Sequence, residues 1–172
     1  MSRGGRPGPL RIALGRAGFR LAYRLAHVYW AIVRPSGRGV KVVVRRGDGR
    51  LLLVRHTYGP PTWTFPGGGV HRRESPVDAG RRELAEEVGV TPPGEWTLLG
   101  SFPGKHSKRA DSVSAYIVED EAPAVVPRAI EIAEATWRLP SDLPAPLDPY
   151  AERTAVLVRD YLAGSSPEAG IQ

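Results

Sequence analysis

The stretch that most constrains this chain runs from Gly67 to Val90, GGGVHRRESPVDAGRRELAEEVGV. A helix can be drawn inside it from local chemistry. Ser75 is a good N-cap, since its hydroxyl can accept from an orphan N–H of the first turn. Pro76 follows at the first helical position, where its missing donor costs nothing. Asp78 stands three residues after Ser75, in the capping-box place, although Asp reaches back less well than Glu. Gly89 is a natural stop in a left-handed conformation. The helix is therefore predicted over residues 76–88.

Side chains on such a helix advance about 100° per residue. Val77, Leu84 and Val88 then share the face that should meet a core, and Glu83, Glu86 and Glu87 share another. Three carboxylates there are a poor choice for stability. They repel at spacings of three and four, and in the last turns the macrodipole disfavours anions by roughly 0.3–1 kcal/mol each. Arg81 and Arg82 offset only part of this. Two readings stay open: an ordinary solvated acidic face, or a face visited by a cation. Oxygen-rich clusters of this kind suit Mg2+ or Mn2+, and Mg2+ usually brings phosphate as a further ligand. The Phe65-Pro66-Gly67-Gly68-Gly69 turn upstream favours the second, because glycines let backbone groups approach a ligand closely.

The pattern Gly68, five residues, Glu74, seven residues, then Arg82-Glu83-Leu84-x-Glu86-Glu87-x-Gly89-Val90 resembles a complete Nudix box, with every fixed position matched. The resemblance implies an α/β fold, the Nudix α/β/α sandwich around a mixed sheet. It also implies a metal-dependent hydrolase that directs water onto a diphosphate linkage in a nucleoside diphosphate derivative. Carried over by position, Glu83, Glu86 and Glu87 would hold Mg2+ or Mn2+, with the Gly67 carbonyl as a further ligand. Arg82 would orient a glutamate, and Glu74 would tie loop to helix rather than bind metal. The general base stays open between a box glutamate acting through water and an acid from a later loop, Asp111, Glu119 or Asp120.

Candidate substrate contacts are Gly68, His56, Arg109 and Asp111. His56 can equally be a half-buried structural histidine. The basic loop of Lys105, His106, Lys108 and Arg109 can hold phosphate or stay solvated. Trp63 and Tyr58 can stack on a base or pack at the rim. The substrate markers of the family's ADP-ribose, dinucleoside polyphosphate and coenzyme A branches are missing, so the reaction type is legible and the substrate is not. Two rivals remain: a nucleotide-binding sensor with weak or no catalysis, against which the intact glutamates speak, and a membrane-surface adaptor of the same fold.

The rest of the chain sets bounds. Net charge is +6, carried almost wholly by arginine, with Lys41, Lys105 and Lys108 the only lysines. Such a balance attracts anions without choosing among them. No aromatic-rich basic array marks a dedicated nucleic-acid module. The absence of cysteine excludes disulfides and thiolate metal sites and fits a cytoplasmic protein.

Residues 1–9 read as a disordered tail, 10–36 as a basic amphipathic helix and linker, 37–163 as the Nudix domain and 164–172 as a loose tail. In the N-terminal segment Arg16, Arg20 and Arg24 share a helical face opposite an apolar surface with Phe19, Trp30 and Ile32. Its uncharged run, 25–33, is too short to span a bilayer. Packing on the domain, forming a homodimer or peripheral association with an anionic membrane surface are its three expected uses. Strands are expected over 40–45, 51–55, around 63–65, 96–102, 112–118 and 130–139. A closing helix over 150–162 is expected to present Val156, Leu157, Tyr161 and Leu162 to the core.

Overall fold

The computed structural model describes residues 37–104, 112–128 and 131–164. The expectations for the two terminal segments 1–36 and 165–172, and for Lys105, His106, Lys108, Arg109 and Asp111, lie outside these residues.

The element order is β1 (Gly39–Arg46), β2 (Leu51–His56), β3 (Trp63–Thr64), α1 (Pro76–Val88), β4 (Trp96–Pro103), β5 (Ser112–Asp120), β6 (Ile132–Arg138) and α2 (Pro149–Leu162). The strands form one sheet in the order β3-β2-β1-β5-β4, with β6 also paired to β2. β1 and β5 run parallel and the other pairings are antiparallel. This is the mixed sheet the sequence predicts. β1 and β2 read as near-continuous apolar runs because both their faces are covered. Val40, Val42, Val44, Leu52 and Val54 pack with Ala79, Leu84 and Val88 of α1 on one side. Val43, Leu51, Leu53 and Phe65 pack with Ala151, Ala155 and Val158 of α2 on the other. The result is an α/β/α sandwich. No helix among the described residues is long and apolar enough to cross a membrane.

β1 and β2 meet at Arg45 and Leu51, at the hairpin end. Toward the other end the stretch after β3 joins them. Trp63 and Thr64 pair with β2. The Pro66 and Gly68 carbonyls then accept from the Val42 and Val40 amides, each at 2.9 Å. The glycine turn is thus laid against β1 as an extra length of strand.

α1 begins and ends as expected. Ser75 Oγ accepts from the Asp78 amide, and Gly89, at φ 68°, closes the helix with its N–H on the Leu84 carbonyl. Its core face differs in part: Val77 is only half-buried, while Ala79 and Gly80 are buried beside Leu84 and Val88. A Cβ at Gly80 would run into Trp96 and Val42, so the helix lies closer to the sheet than a larger residue would allow.

α2 corrects the expectation more sharply. Ala151, Thr154, Ala155 and Val158 are the buried positions, Leu157 is only partly buried, and Val156 (47% exposed), Tyr161 and Leu162 face outward. Capping by Asp148 starts the helix at Pro149 and sets its rotation, so small residues meet the strands.

Candidate active site

The glycine turn and α1 meet at their functional ends. The Gly67 amide donates to Glu87 Oε2 over 3.1 Å. Gly67 has φ 138°, and a side chain there would collide with the Val40 carbonyl, so glycine is required on both counts. Gly68 is crowded for a different reason: a Cβ on it would strike the end of the Glu83 side chain, which would have to move aside.

Arg82 is the hub of the loop between turn and helix. Its guanidinium donates to Glu74 Oε1 at 3.0 Å and Oε2 at 3.2 Å, to the Gly69 carbonyl at 2.9 Å and to Glu83 Oε1 at 2.8 Å, with Glu86 Oε2 3.5 Å away. Glu74 also accepts from the His71 amide at 2.8 Å. The Arg82 guanidinium, helped by that amide, holds the Glu74 carboxyl down at about 2. Glu74 therefore spends both its oxygens on the loop and its arginine.

Glu87 is the anomalous group. Its residue is 5% exposed, an unusual place for a carboxylate. Burial pushes its carboxyl up to about 8, partly countered by the charge of Lys41 and by the Gly67 N–H. The nearest basic side chain among the described residues is His56, whose Nε2 stands 3.7 Å from Glu87 Oε1. Burial and the Lys41 charge lower His56 to about 4. Between those two values both side chains are neutral, so this contact is not an ion pair in the metal-free protein near pH 7.

The residues present fit a hard divalent cation. The donors would be carboxylate oxygens with the Gly67 backbone carbonyl as a further ligand. One of the carboxyls, Glu87, is buried, and among the described residues no lysine or arginine makes an ion pair with it. α1 also carries no basic residue in its last turn to balance Glu86 and Glu87. Among the described residues no three acidic or histidine side chains already converge at coordination distance. Glu83 is engaged by Arg82 instead.

A fourth carboxylate joins the cluster that sequence reading missed. Glu131 stands one residue before β6 and is half-buried. Burial raises its pKa, Arg128 opposes this, and the charges of Glu86 and Glu83 raise it further. β6 lies alongside β2, and the Thr57 amide donates to the Glu131 carbonyl at 2.9 Å, which fixes its backbone beside His56. No spacing rule reaches it from the box; only the β2–β6 pairing does.

Two other candidates are displaced. Glu119 and Asp120 pair in register with Arg45 and Arg46, at the hairpin end of β1, and Glu119 is bound by Arg45 at 2.6 Å. The glycine turn meets β1 at Val40 and Val42, so the open alternative of Glu119 or Asp120 as general base is corrected: they stand some 10–20 Å along the strand from the turn. Asp111 and Arg109 lie outside the described residues. Trp63 is half-buried against the α2-side core with the Arg55 guanidinium 5.8 Å from its ring centre, and the Tyr58 ring lies 4.9 Å from that of His56.

Comparisons with known proteins agree with this geometry. A family model described as the NUDIX domain matches residues 35–161. An RNA pyrophosphohydrolase of Halorhodospira halophila is 47% identical over 59 residues, which is 34% of this chain and 30% of that protein. The chain thus spans about a third of the length of the curated relatives it matches. The crystal structure of a MutT NUDIX hydrolase from Burkholderia pseudomallei superposes with a TM-score of 0.58 at 27% identity, covering 71% of this chain and 97% of that one. The solution structure of the E. coli ORF135 protein gives 0.65 at 24% identity, covering 77% and 94%. With a family model spanning most of its length, a complete box and the matching sandwich, the chain belongs to the NUDIX family.

Proposed function

We propose that this protein is a metal-dependent pyrophosphohydrolase acting on a phosphoric anhydride in a nucleoside diphosphate derivative. The observation that carries the reading is the Glu87 carboxyl, buried on the Gly67 amide beside the charges of Glu83 and Glu131, with no lysine or arginine in ion-pair contact with it among the described residues. A bound Mg2+ or Mn2+ would restore its charge, neutralise phosphoryl oxygens and acidify water. Glu83, Glu86, Glu87 and the Gly67 carbonyl are the residues that would hold it.

The chain's own part in the reaction is positioning and proton transfer. A water oxygen bonds to phosphorus, the bridging P–O bond breaks, and the leaving phosphate takes that oxygen with its electron pair. The water proton passes to a carboxylate, for which Glu131 and the box glutamates are the candidates, since burial and mutual repulsion raise the pKa of the first. Arg82 keeps Glu83 and Glu74 apart in fixed roles. Curated relatives of this chain are named RNA pyrophosphohydrolases. A 5′-pyrophosphorylated RNA end therefore joins nucleoside triphosphates and nucleotide sugars as substrates to test. The N-terminal segment is proposed as a second, separate contact, to another copy of the chain or to an anionic surface.

The test is a phosphate and pyrophosphate release screen over that panel with Mg2+ or Mn2+. Turnover of at least one member, abolished by EDTA and by Glu87→Gln, is expected. Tight nucleotide binding without turnover would favour a sensor.

A further inference from the structure

Lys41 is a lysine in the middle of β1, its side chain only 11% exposed. It sits between Val40 and Val42, whose amides hold the Gly68 and Pro66 carbonyls, and strand alternation turns its side chain to the α2 face. There Nζ donates to Thr64 Oγ1 at 2.7 Å and to the Phe65 carbonyl at 3.0 Å. Asp148 Oδ2 is 4.0 Å away. The other oxygen of that carboxylate caps α2, accepting from the Tyr150 and Ala151 amides at 2.7 and 2.8 Å. Backbone bonds tie the same junction together: the Trp63 amide donates to the Pro146 carbonyl and the Asp148 amide to the Trp63 carbonyl.

A buried ammonium is costly, and a valine in this apolar strand would be the cheaper residue. What the lysine gains is a grip on one peptide. The Phe65 carbonyl is the last acceptor before Pro66, which has no N–H of its own, and Pro66 leads straight into Gly67. From Asp148 a continuous path therefore runs through Lys41 and the Phe65 peptide to the Gly67 amide and so to Glu87.

We propose that Lys41 is a positioning residue: it clamps the glycine turn to the start of α2 and thereby holds the Gly67 amide on Glu87. This deepens the reading of the turn as the metal-facing part of a hydrolase, and rests on it. Lys41 touches neither the metal nor the bond that breaks. It acts through the backbone.

The test uses the full-length, metal-free protein. Hydrogen exchange of the Gly67 amide is followed by NMR, and Mn2+ affinity is read from the free-ion electron paramagnetic resonance signal. In Lys41→Met the Gly67 amide is expected to exchange at least tenfold faster, while amides of β5 keep their protection, and Mn2+ to bind about tenfold more weakly. Thr64→Val, which keeps the charge but loosens the ammonium, should move both readouts the same way by less. A lysine acting only as a nearby positive charge predicts the reverse, tighter Mn2+ binding in Lys41→Met and an unmoved Gly67 amide. Either of those results overturns the proposal. If Lys41→Met does not fold, Thr64→Val decides by the same two readouts. A wild-type protein that binds no Mn2+ would sink the hydrolase reading, and the Gly67 exchange would still judge Lys41.

Discussion

The Gly67 amide and the Glu87 carboxylate, separated by 20 residues, meet at 3.1 Å. That bond closes the glycine turn onto the last turn of α1 and makes one site of two local motifs. Among the described residues that N–H is the donor shown on Glu87, and a buried carboxylate is better served by more, so a cation would complete the site.

Metal should therefore stabilise the fold as well as support catalysis. At a Mg2+ or Mn2+ concentration 100 times its Kd, mass action contributes about 2.7 kcal/mol, a rise in Tm of roughly 5–10 °C for a chain of this size. Glu86→Gln and Glu87→Gln should each lower turnover by about 10²–10⁴ with the fold retained. Differential scanning calorimetry with and without EDTA, beside the hydrolysis assay, checks both. Full activity without metal would end the assignment.

Stability of the metal-free protein should depend on pH with a definite sign. Glu87, raised from an ordinary 4.5 to about 8, holds its proton more tightly folded than unfolded. Its contribution is complete below 4.5 and is lost as pH rises through 8. His56, lowered from 6.5 to about 4, works the other way, and its contribution is lost as pH falls through 4. The two oppose each other between 4.5 and 6.5, and above that only the Glu87 effect of the pair remains. Between pH 6.5 and 8 the EDTA-treated protein should lose on the order of 2 kcal/mol. Thermal melts across that window should show a falling Tm. In Glu87→Gln the slope should flatten, and an undiminished slope would assign the effect elsewhere.

The two glycines should fail in different ways. Gly67→Ala meets both a backbone collision and a disfavoured φ, so it should destabilise the fold by about 1–3 kcal/mol. Gly68→Val meets the tip of Glu83, which can swing away, so it should cost activity more than stability. It should also cost more activity than Val70→Ala. Paired melts and rates for the three variants separate these outcomes, and equal rate losses for Gly68→Val and Val70→Ala would count against a ligand-facing turn.

Glu74 should behave as a support for Arg82. Glu74→Gln is expected to lower Tm while leaving Mn2+ affinity within about threefold. The double variant with Arg82→Gln should show a coupling of roughly 0.5–3 kcal/mol, as contacting residues do. A Mn2+ affinity lost as completely as in Glu87→Gln would make Glu74 a metal ligand.

Among the described residues every buried core residue lies at Val40 or beyond, and a chain beginning at residue 36 is expected to fold. Its Tm should stay within a few degrees of the full-length value. Light scattering and sedimentation with anionic vesicles, compared between the two lengths, then ask whether the N-terminal segment pairs copies or binds a surface. A large fall in Tm would instead show that the segment packs on the domain.

Ser75, Pro76 and Gly89 specify α1 by themselves, because caps, a missing donor and a left-handed stop are properties of a few adjacent residues. The common face of Glu83, Glu86 and Glu87 follows from helical geometry alone. The strand runs were legible too, and the covered sheet was implied by the resemblance to the Nudix box. Nothing local could say which strand neighbours which. The β2–β6 pairing brings Glu131 beside His56, and the parallel register of β5 on β1 carries Glu119 and Asp120 to the far end. Helix rotation was equally hidden: α2 buries Ala151, Ala155 and Val158 rather than Val156, Tyr161 and Leu162. In the sequence Lys41 is simply one of three lysines, and only the fold gives it Thr64, Phe65 and Asp148 to hold. Contacts within a turn or helix are written in sequence spacing, whereas contacts between strands depend on pairings that are settled when the whole core closes.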